Sequence, residues 1–145
     1  MVPSPSSPLV QMTVRRRCPD MVSSKSEPAI RVTAMPADTN SNGDIFGGWL
    51  MSQMDMGAGL VAARLARGRV ATVAMDGMQF LLPVNVGDEV SVYCVVTRMG
   101  RTSMTIATEA WRRHRFEDEE LKVTEAVFTF VAIDDNGRPR AVSQE

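Results

Sequence analysis

This chain of 145 residues, with 44% hydrophobic and 23% charged residues, is long enough to bury the core of a single domain. A formal net charge of -1 excludes a general attraction to nucleic acid or to an anionic membrane. No apolar run approaches the roughly 20 residues that span a bilayer. Two cysteines are too few for a disulfide scaffold, so we expect a cytoplasmic protein with reduced thiols.

The N-terminal residues 1–28 differ in composition from the rest of the chain. They are rich in serine and proline, carry consecutive arginines at 15–17, and lack the apolar stretch of roughly 7–15 residues that a secretory signal needs. We predict a disordered tail over residues 1–28 and a folded domain over residues 29–145. An organelle transit peptide and an over-extended start, with Met21 or another methionine as the true beginning, are the alternatives.

The folded part begins with a strand and a helix. Residues 30–35 read as a short extended segment that Pro36 stops, and residues 38–44 form a polar loop with turn residues. Over residues 47–67 the apolar residues recur at helical spacing, which predicts a helix that ends at Gly68. Its expected buried stripe consists of Leu50, Met54, Gly57, Val61 and Leu65, flanked by Met51, Ala58 and Ala62.

Beyond the helix the apolar residues alternate with a period of two, which is typical of β-strands. The predicted strands cover residues 70–75 and 78–82, as one strand kinked near Gly77, and then residues 89–99, 102–111 and 121–133, with a charged loop over residues 112–120. Gly57 and Gly59, inside the helix, let a sheet approach closely, at roughly 1 kcal/mol each relative to alanine. The pattern therefore predicts an α+β fold in which a curved antiparallel sheet wraps one long central helix.

One carboxylate, Asp55, lies in the middle of the predicted helix among methionine, glycine and alanine. Burying an ionised carboxylate without a partner is costly, so the group is exposed, paired or kept for chemistry. Two turns earlier, Gly47 and Gly48 could open the helix with backbone N–H groups that point at a bound oxygen. Structural alternatives stay open here: a backbone hydrogen bond for Asp55, close helix–sheet packing for the glycines, and a helix cap for Asp44.

Several stretches of the chain carry a resemblance to a known family. Residues 35–40 and 42–55 read MPADTN and NGDIFGGWLMSQMD, and residues 83–88, 100–103 and 124–128 read PVNVGD, GRTS and TEAVF. In order and spacing these segments closely resemble the corresponding segments of the acyl-CoA thioesterases of the YciA type, which have the hotdog fold. The resemblance covers about residues 30–142 and leaves out the N-terminal tail.

The resemblance implies an enzyme whose active site lies at a subunit interface. Its catalytic aspartate falls seven residues after the second glycine, at Asp55, and the loop of one protomer, residues 40–48, faces the aspartate of another. This loop contains Asn40, Asp44 and Phe46, and Phe46 stands where more distant hotdog relatives often have histidine. Family members commonly assemble as trimers of dimers, so we expect a homo-oligomer, at least a dimer, that binds neither nucleic acid nor membrane.

Thioester hydrolysis suits a site with one carboxylate and no histidine base. The leaving thiolate comes from a thiol with a pKa of about 8.5, so it departs with little help from an acid. Asp55 would act as general base on water or attack the carbonyl directly, with the Gly47 or Gly48 amide stabilising the oxyanion. The sole histidine, His114, lies in a charged loop, and no cluster has metal-ligand spacing, so we expect neither metal nor organic cofactor.

The phosphates of coenzyme A require cations near the mouth of the cleft. Our candidates for binding them are Arg69, Arg98, Arg101, Thr102 and Ser103. The methionines at 51, 54 and 56 read most simply as core, although they could line an adaptable acyl pocket. The alternative function is a non-catalytic acyl-CoA-binding carrier or sensor, while a hotdog dehydratase would need a histidine near the helix.

Overall fold

The computed structural model describes residues 27–142, so most of the predicted tail over residues 1–28 lies outside the described residues. The secondary structure consists of β1 (Ile30–Thr33), a 3-10 turn (Pro36–Asp38), α1 (Gly47–Ala66), β2 (Val70–Phe80), β3 (Glu89–Met99), β4 (Ser103–Arg113) and β5 (Glu120–Ala132). The strands form one antiparallel sheet in the order β1-β3-β4-β5-β2. Helix α1 contacts all five strands, which confirms the predicted α+β hotdog architecture around one helix.

The buried face of α1 is built largely from small side chains. Ala58, Ala62 and Ala66 are at most 1% exposed, and a Cβ added to Gly57 would lie 3.0 Å from Cγ1 of Val92 on β3. Leu50, Met54 and Gly57 of the predicted stripe are buried as expected, but Leu65 is 36% exposed. Ala58 and Ala62, which were expected beside the stripe, are completely buried. Periodicity favoured the larger apolar residues, but close contact with the sheet leaves room mainly for alanine and glycine.

The helix ends one residue earlier than expected. Arg67, not Gly68, adopts the left-handed conformation with φ 52°, and its N–H group bonds to the carbonyl of Ala63. Gly68 is explained by Arg140, whose Nη2 would lie 2.6 Å from an added Cβ and donates to the Ala66 carbonyl at 2.9 Å. An arginine from the C-terminal segment thus satisfies the end of α1.

Two details of the strands bear on the sequence interpretation. The kink near Gly77 is confirmed, since its φ is 73° and the register between β2 and β5 shifts between Asp76 and Gln79. The loop predicted over residues 112–120 is shorter, because β4 continues to Arg113. Arg112 and Arg113 pair across the strands with Asp88 and Glu89, which extends the ladder into the charged segment.

Candidate active site

The carboxylate of Asp55 has one defined partner, a threonine on the neighbouring strand. Thr72 of β2 donates a hydrogen bond from Oγ1 to Oδ1 of Asp55 over 2.7 Å. Within a single chain Asp55 is half-buried and Thr72 exposed, so the carboxylate is paired, which is one of the three states expected from the sequence. Thr72 was not predicted as a site residue, because a hydroxyl in an alternating strand gives no signal until β2 is placed beside α1.

The face of the protomer around this pair is apolar. Met56 and Leu60, one turn apart on α1, are 50% and 52% exposed, and Val73, next to Thr72, is 57% exposed. Strand β2 is also an edge strand of the sheet, so one side of its backbone has no partner strand within the chain. Exposed apolar side chains beside a free sheet edge are typical of a protein–protein interface.

The start of α1 has uncapped backbone amides at the predicted glycine pair. Phe46 is the N-cap residue, in an extended conformation, and no side chain caps the helix. The cap expected from Asp44 is therefore absent. Asn40 shapes the loop instead, since its Oδ1 accepts hydrogen bonds from the N–H groups of Asn42 at 2.9 Å and of Asp44 at 3.1 Å. Trp49 donates to the Phe46 carbonyl, which leaves Gly47 and Gly48 as the available donors.

The glycine amides and the carboxylate do not meet within one chain. Gly47 and Asp55 are eight residues apart on α1, which corresponds to about 12 Å along the helix axis. A thioester carbonyl cannot contact groups this far apart at once. One copy of the chain thus presents two half-sites, a carboxylate with its hydroxyl partner in the middle of α1 and two amides at its start.

A cavity of about 410 Å³ adjoins the amide half-site. It is lined by Ile45, Gly47, Leu50, Phe80, Leu81, Leu82, Pro83 and Val84, none of which carries a charge or a polar side chain. The ring of Phe80, the last residue of β2, lies over Gly47, and a Cβ on that glycine would be 2.8 Å from Cζ of the ring. The glycine is thus needed for the close packing of this ring against the start of α1.

The candidate coenzyme A-binding residues lie elsewhere in the chain. Arg69 donates to the carbonyls of Asp134 and Asp135 at 3.4 and 3.2 Å, and Thr102 accepts a backbone hydrogen bond from Ala132. Together with Ser103 and the exposed Arg98 and Arg101, they cluster at the end of the sheet where α1 ends. Within one chain these five residues therefore do not adjoin the Gly47 and Gly48 amides at the start of α1.

Among residues 27–142 no three His, Cys, Asp or Glu side chains are grouped so as to hold a metal ion. His114 lies in the loop after β4, where its Nδ1 accepts the N–H of Phe116 at 3.2 Å. Within the same residues no helix is long and apolar enough to cross a membrane.

Comparison with known proteins identifies the group to which these features belong. The thioesterase superfamily matches residues 42–117. The acyl-CoA thioester hydrolase YciA of Escherichia coli K12 is 50% identical over 119 residues, which cover 80% of this chain and 90% of YciA. A crystal structure of a hexameric broad specificity acyl-coenzyme A thioesterase is 50% identical with a TM-score of 0.79, and the match covers 84% of either chain.

A more distant similarity bears on the Asp55–Thr72 pair. An acyl-CoA hydrolase of Staphylococcus aureus, with an aspartate-to-alanine mutation in its crystal structure, is 30% identical with a TM-score of 0.71. The match covers 78% of this chain and 69% of that one. A second crystal structure of the hydrolase has a threonine-to-alanine mutation. The two mutated residues are separated by 17 positions, as are Asp55 and Thr72.

Proposed function

The chain belongs to the acyl-CoA thioester hydrolases of the thioesterase superfamily, and on that premise we propose that it hydrolyses short-chain or fatty acyl-CoAs to free acid and coenzyme A. The observation that carries this proposal is the 50% identity to YciA over 80% of the chain. Coenzyme A is part of substrate and product, and the proposed reaction uses no metal ion or organic cofactor. We assign this activity to the cytoplasm, where acyl-CoA substrates and reduced thiols coexist.

Asp55 is the proposed catalytic carboxylate. As a general base it takes a proton from water, the oxygen of that water attacks the thioester carbon, and the C–S bond breaks to release the thiolate. As a nucleophile its carboxylate oxygen attacks the thioester carbon and expels the thiolate as the C–S bond breaks, and water then hydrolyses the resulting acyl anhydride to the free acid and the restored carboxylate. In either case Thr72 is a positioning residue, because its hydroxyl fixes one carboxylate oxygen and leaves the other for water or substrate.

Gly47 and Gly48 are proposed to hold the oxyanion. Their backbone N–H groups have no side-chain cap, and the N-terminal end of a helix favours negative charge. A preorganised donor of this kind contributes on the order of 3 kcal/mol to stabilising the transition state. We propose that Asn40, Asp44 and Phe46 form the loop that places these amides.

The active site is proposed to contain the carboxylate of one protomer and the amides of another. The separation of about 12 Å between Gly47 and Asp55 supports this arrangement, as does the exposed apolar surface of Met56, Leu60 and Val73 beside the free edge of β2. The protein is accordingly a homo-oligomer, at least a dimer, and we propose a hexamer built as a trimer of dimers. Two half-sites of opposite subunits then make one complete site.

The coenzyme A phosphates are proposed to bind the cluster of Arg69, Arg98, Arg101, Thr102 and Ser103. This cluster lies far from the Gly47 and Gly48 amides of its own chain, which fits a nucleotide that extends across the interface between two protomers. Arg98 and Arg101 are exposed, whereas the Arg69 guanidinium already binds two backbone carbonyls. We therefore expect Arg98 and Arg101 to contribute more to phosphate binding than Arg69 does.

The test is free-thiol release from a panel of acyl-CoAs, from short to long, with wild type, Asp55→Asn and the control Asp118→Asn. Asp118 lies in the exposed loop after β4, so the same chemical change there should preserve activity. We expect Asp55→Asn to lose roughly 100-fold or more in kcat while it still binds acyl-CoA. Equal activity in both variants would remove Asp55 from the mechanism, and tight binding without turnover by wild type would favour the carrier or sensor.

A further inference from the structure

The cavity beside Gly47 is graded from a buried floor to an exposed rim. Ile45, Leu50 and Val84 form the floor and are at most 9% exposed. Phe80 and Leu81 form the rim and are 50% and 57% exposed. An apolar cavity that opens to solvent on one side and ends in the core admits a flexible hydrocarbon chain from its open end.

The lining of the cavity excludes the other parts of an acyl-CoA. Phosphate groups require donors or cations, and the eight lining residues offer no side chain of that kind. Burying each methylene group in such surroundings is favourable by about 0.8 kcal/mol. Because the cavity adjoins the Gly47 amide, a chain inside it would leave its thioester carbonyl at the start of α1.

The methionines considered as a possible acyl pocket are not part of this lining. Met54 is completely buried in the core, Met56 is half-exposed on the outer face of α1, and Met51 is partly buried. They lie one to two turns beyond the glycine pair. The space next to the amides is formed instead by the end of β2 and the turn that follows it.

We propose that this cavity holds the acyl chain and that the ring of Phe80 is the residue that limits acyl-chain length. The inference rests on the proposed thioesterase function and adds to it the residue that determines specificity. The para carbon of the ring points at Gly47, so the ring is the part of the rim that lies against the start of α1, and its size sets how much of the cavity a chain anchored there can use. A half-exposed ring at the end of a strand can rotate, and a smaller or larger side chain changes the space without disturbing the buried floor.

The experiment measures kcat/KM for straight-chain acyl-CoAs of increasing length with wild type, Phe80→Ala and Phe80→Trp. For wild type, kcat/KM should rise by up to roughly fourfold for each methylene group that enters the cavity, and then level off. In Phe80→Ala the plateau moves to chains that are longer by two or more carbons, and in Phe80→Trp to shorter chains. Phe116→Ala, which removes a ring that is 77% exposed in the loop after β4, leaves the profile unchanged.

The outcomes separate this inference from the function on which it rests. Opposite shifts in the two Phe80 variants support it, because a general loss of folding or catalysis cannot produce opposite changes in length preference. If wild type is active and each Phe80 variant changes kcat/KM by the same factor for every substrate, the ring affects only the placement of the glycine amides. The inference is then overturned while the proposed function stands. If wild type hydrolyses no acyl-CoA, the proposed function is overturned, and the acyl site with it.

Discussion

Thr72 Oγ1 donates a 2.7 Å hydrogen bond to Asp55 Oδ1, which joins edge strand β2 to the middle of helix α1. Each residue is accessible in a single chain, so the contact has little packing to support it. Its geometric effect is to fix the carboxylate plane and leave Oδ2 for another partner. A threonine serves this purpose because its β-branched side chain suits a strand and its hydroxyl rotates to the acceptor.

Replacing Thr72 by valine removes the hydroxyl while keeping the shape of the side chain. Since a hydrogen bond to a charged group contributes about 1.5–3 kcal/mol, we expect kcat to fall roughly ten- to hundredfold with little change in KM. Thr72→Ser retains the hydroxyl and should recover most of the loss. Steady-state kinetics of both variants check this, and equal losses in Ser and Val would assign Thr72 to packing alone.

The backbone amide of Gly47 can be tested apart from the space that the glycine provides. Gly47→Ala and Gly47→Pro both place a Cβ 2.8 Å from the Phe80 ring tip, but only proline removes the N–H group. Proline suits the first position of a helix, and Phe46 before it is already extended, with ψ 153°. We expect Gly47→Pro to lose roughly 100- to 1000-fold more in kcat than Gly47→Ala.

If kcat of Gly47→Pro falls less than this below that of Gly47→Ala, the main oxyanion donor is the Gly48 amide. Thermal unfolding provides the control, because both variants should unfold within a few degrees of each other. The Phe80 ring can move when it meets the added carbon, so a second substitution, Phe80→Ala, should relieve most of the cost of Gly47→Ala.

The local pattern of the chain predicted the strands well because their apolar residues alternate along the sequence. Strand β3 begins and ends where the alternation does, and the Gly77 kink coincides with a positive φ. The buried face of α1 was predicted less well. Ala58 and Ala62 contribute little to hydrophobic periodicity because their side chains are small, and they are buried because the sheet packs closely against the helix. Thr72 and Phe80 were not predicted for a related reason. Thr72 contacts Asp55 and Phe80 contacts Gly47, and these pairs are distant in the sequence and adjoin only in the folded chain.

Asp88 has a buried carboxylate that takes part in the turn before β3. It is 1% exposed, accepts the Asn85 N–H at 2.9 Å, and lies 3.5 Å from Nη1 of Arg112. Asp88→Ala leaves the arginine without its carboxylate partner and the turn without its acceptor, so we expect the free energy of unfolding to fall by roughly 2–4 kcal/mol. Glu125→Gln, at an exposed ion pair with Lys122, should change it by less than about 0.5 kcal/mol. Urea denaturation of both variants measures the contrast.

Cys94 should be chemically silent in the folded protein. Burial raises the pKa of its thiol from 9.0 to about 11, which a hydrogen bond with Thr108 only partly offsets. Because the thiolate is the reactive form, we expect Cys94 in a Cys18→Ser variant to react with a thiol reagent at pH 8 roughly 100-fold more slowly in the folded protein than after denaturation. Rapid labelling of the folded protein at pH 8 would contradict the assigned burial.

The raised pKa of Cys94 also predicts a loss of stability in alkali. Between pH 9 and about 11 the folded thiol retains its proton while the unfolded thiol loses it, so the free energy of unfolding falls as the pH rises across this interval. The contribution is on the order of 2 to 3 kcal/mol. Cys94→Ala removes this thiol from both states, and its stability should depend less steeply on pH in the same interval, as urea unfolding at several pH values would show.

The proposed division of the active site between protomers predicts complementation between two inactive variants. If Asp55 of one subunit works with Gly47 of its partner, a dimer of an Asp55→Asn chain and a Gly47→Pro chain has one site with both defects. Its other site has neither defect. Random pairing makes half of the dimers mixed, so co-expression of the two variants should restore roughly a quarter of wild-type activity.

The control for this recovery is a chain that carries both substitutions, co-expressed with either single variant. Every site then contains at least one defect, so activity should stay at the level of the single variants. Leu60→Arg, on the exposed apolar face of α1, should prevent both assembly and recovery, because it buries a charge in the proposed interface. No recovery in mixed oligomers, shown by differently tagged chains that copurify, would mean that Asp55 and Gly47 of different subunits do not share a site.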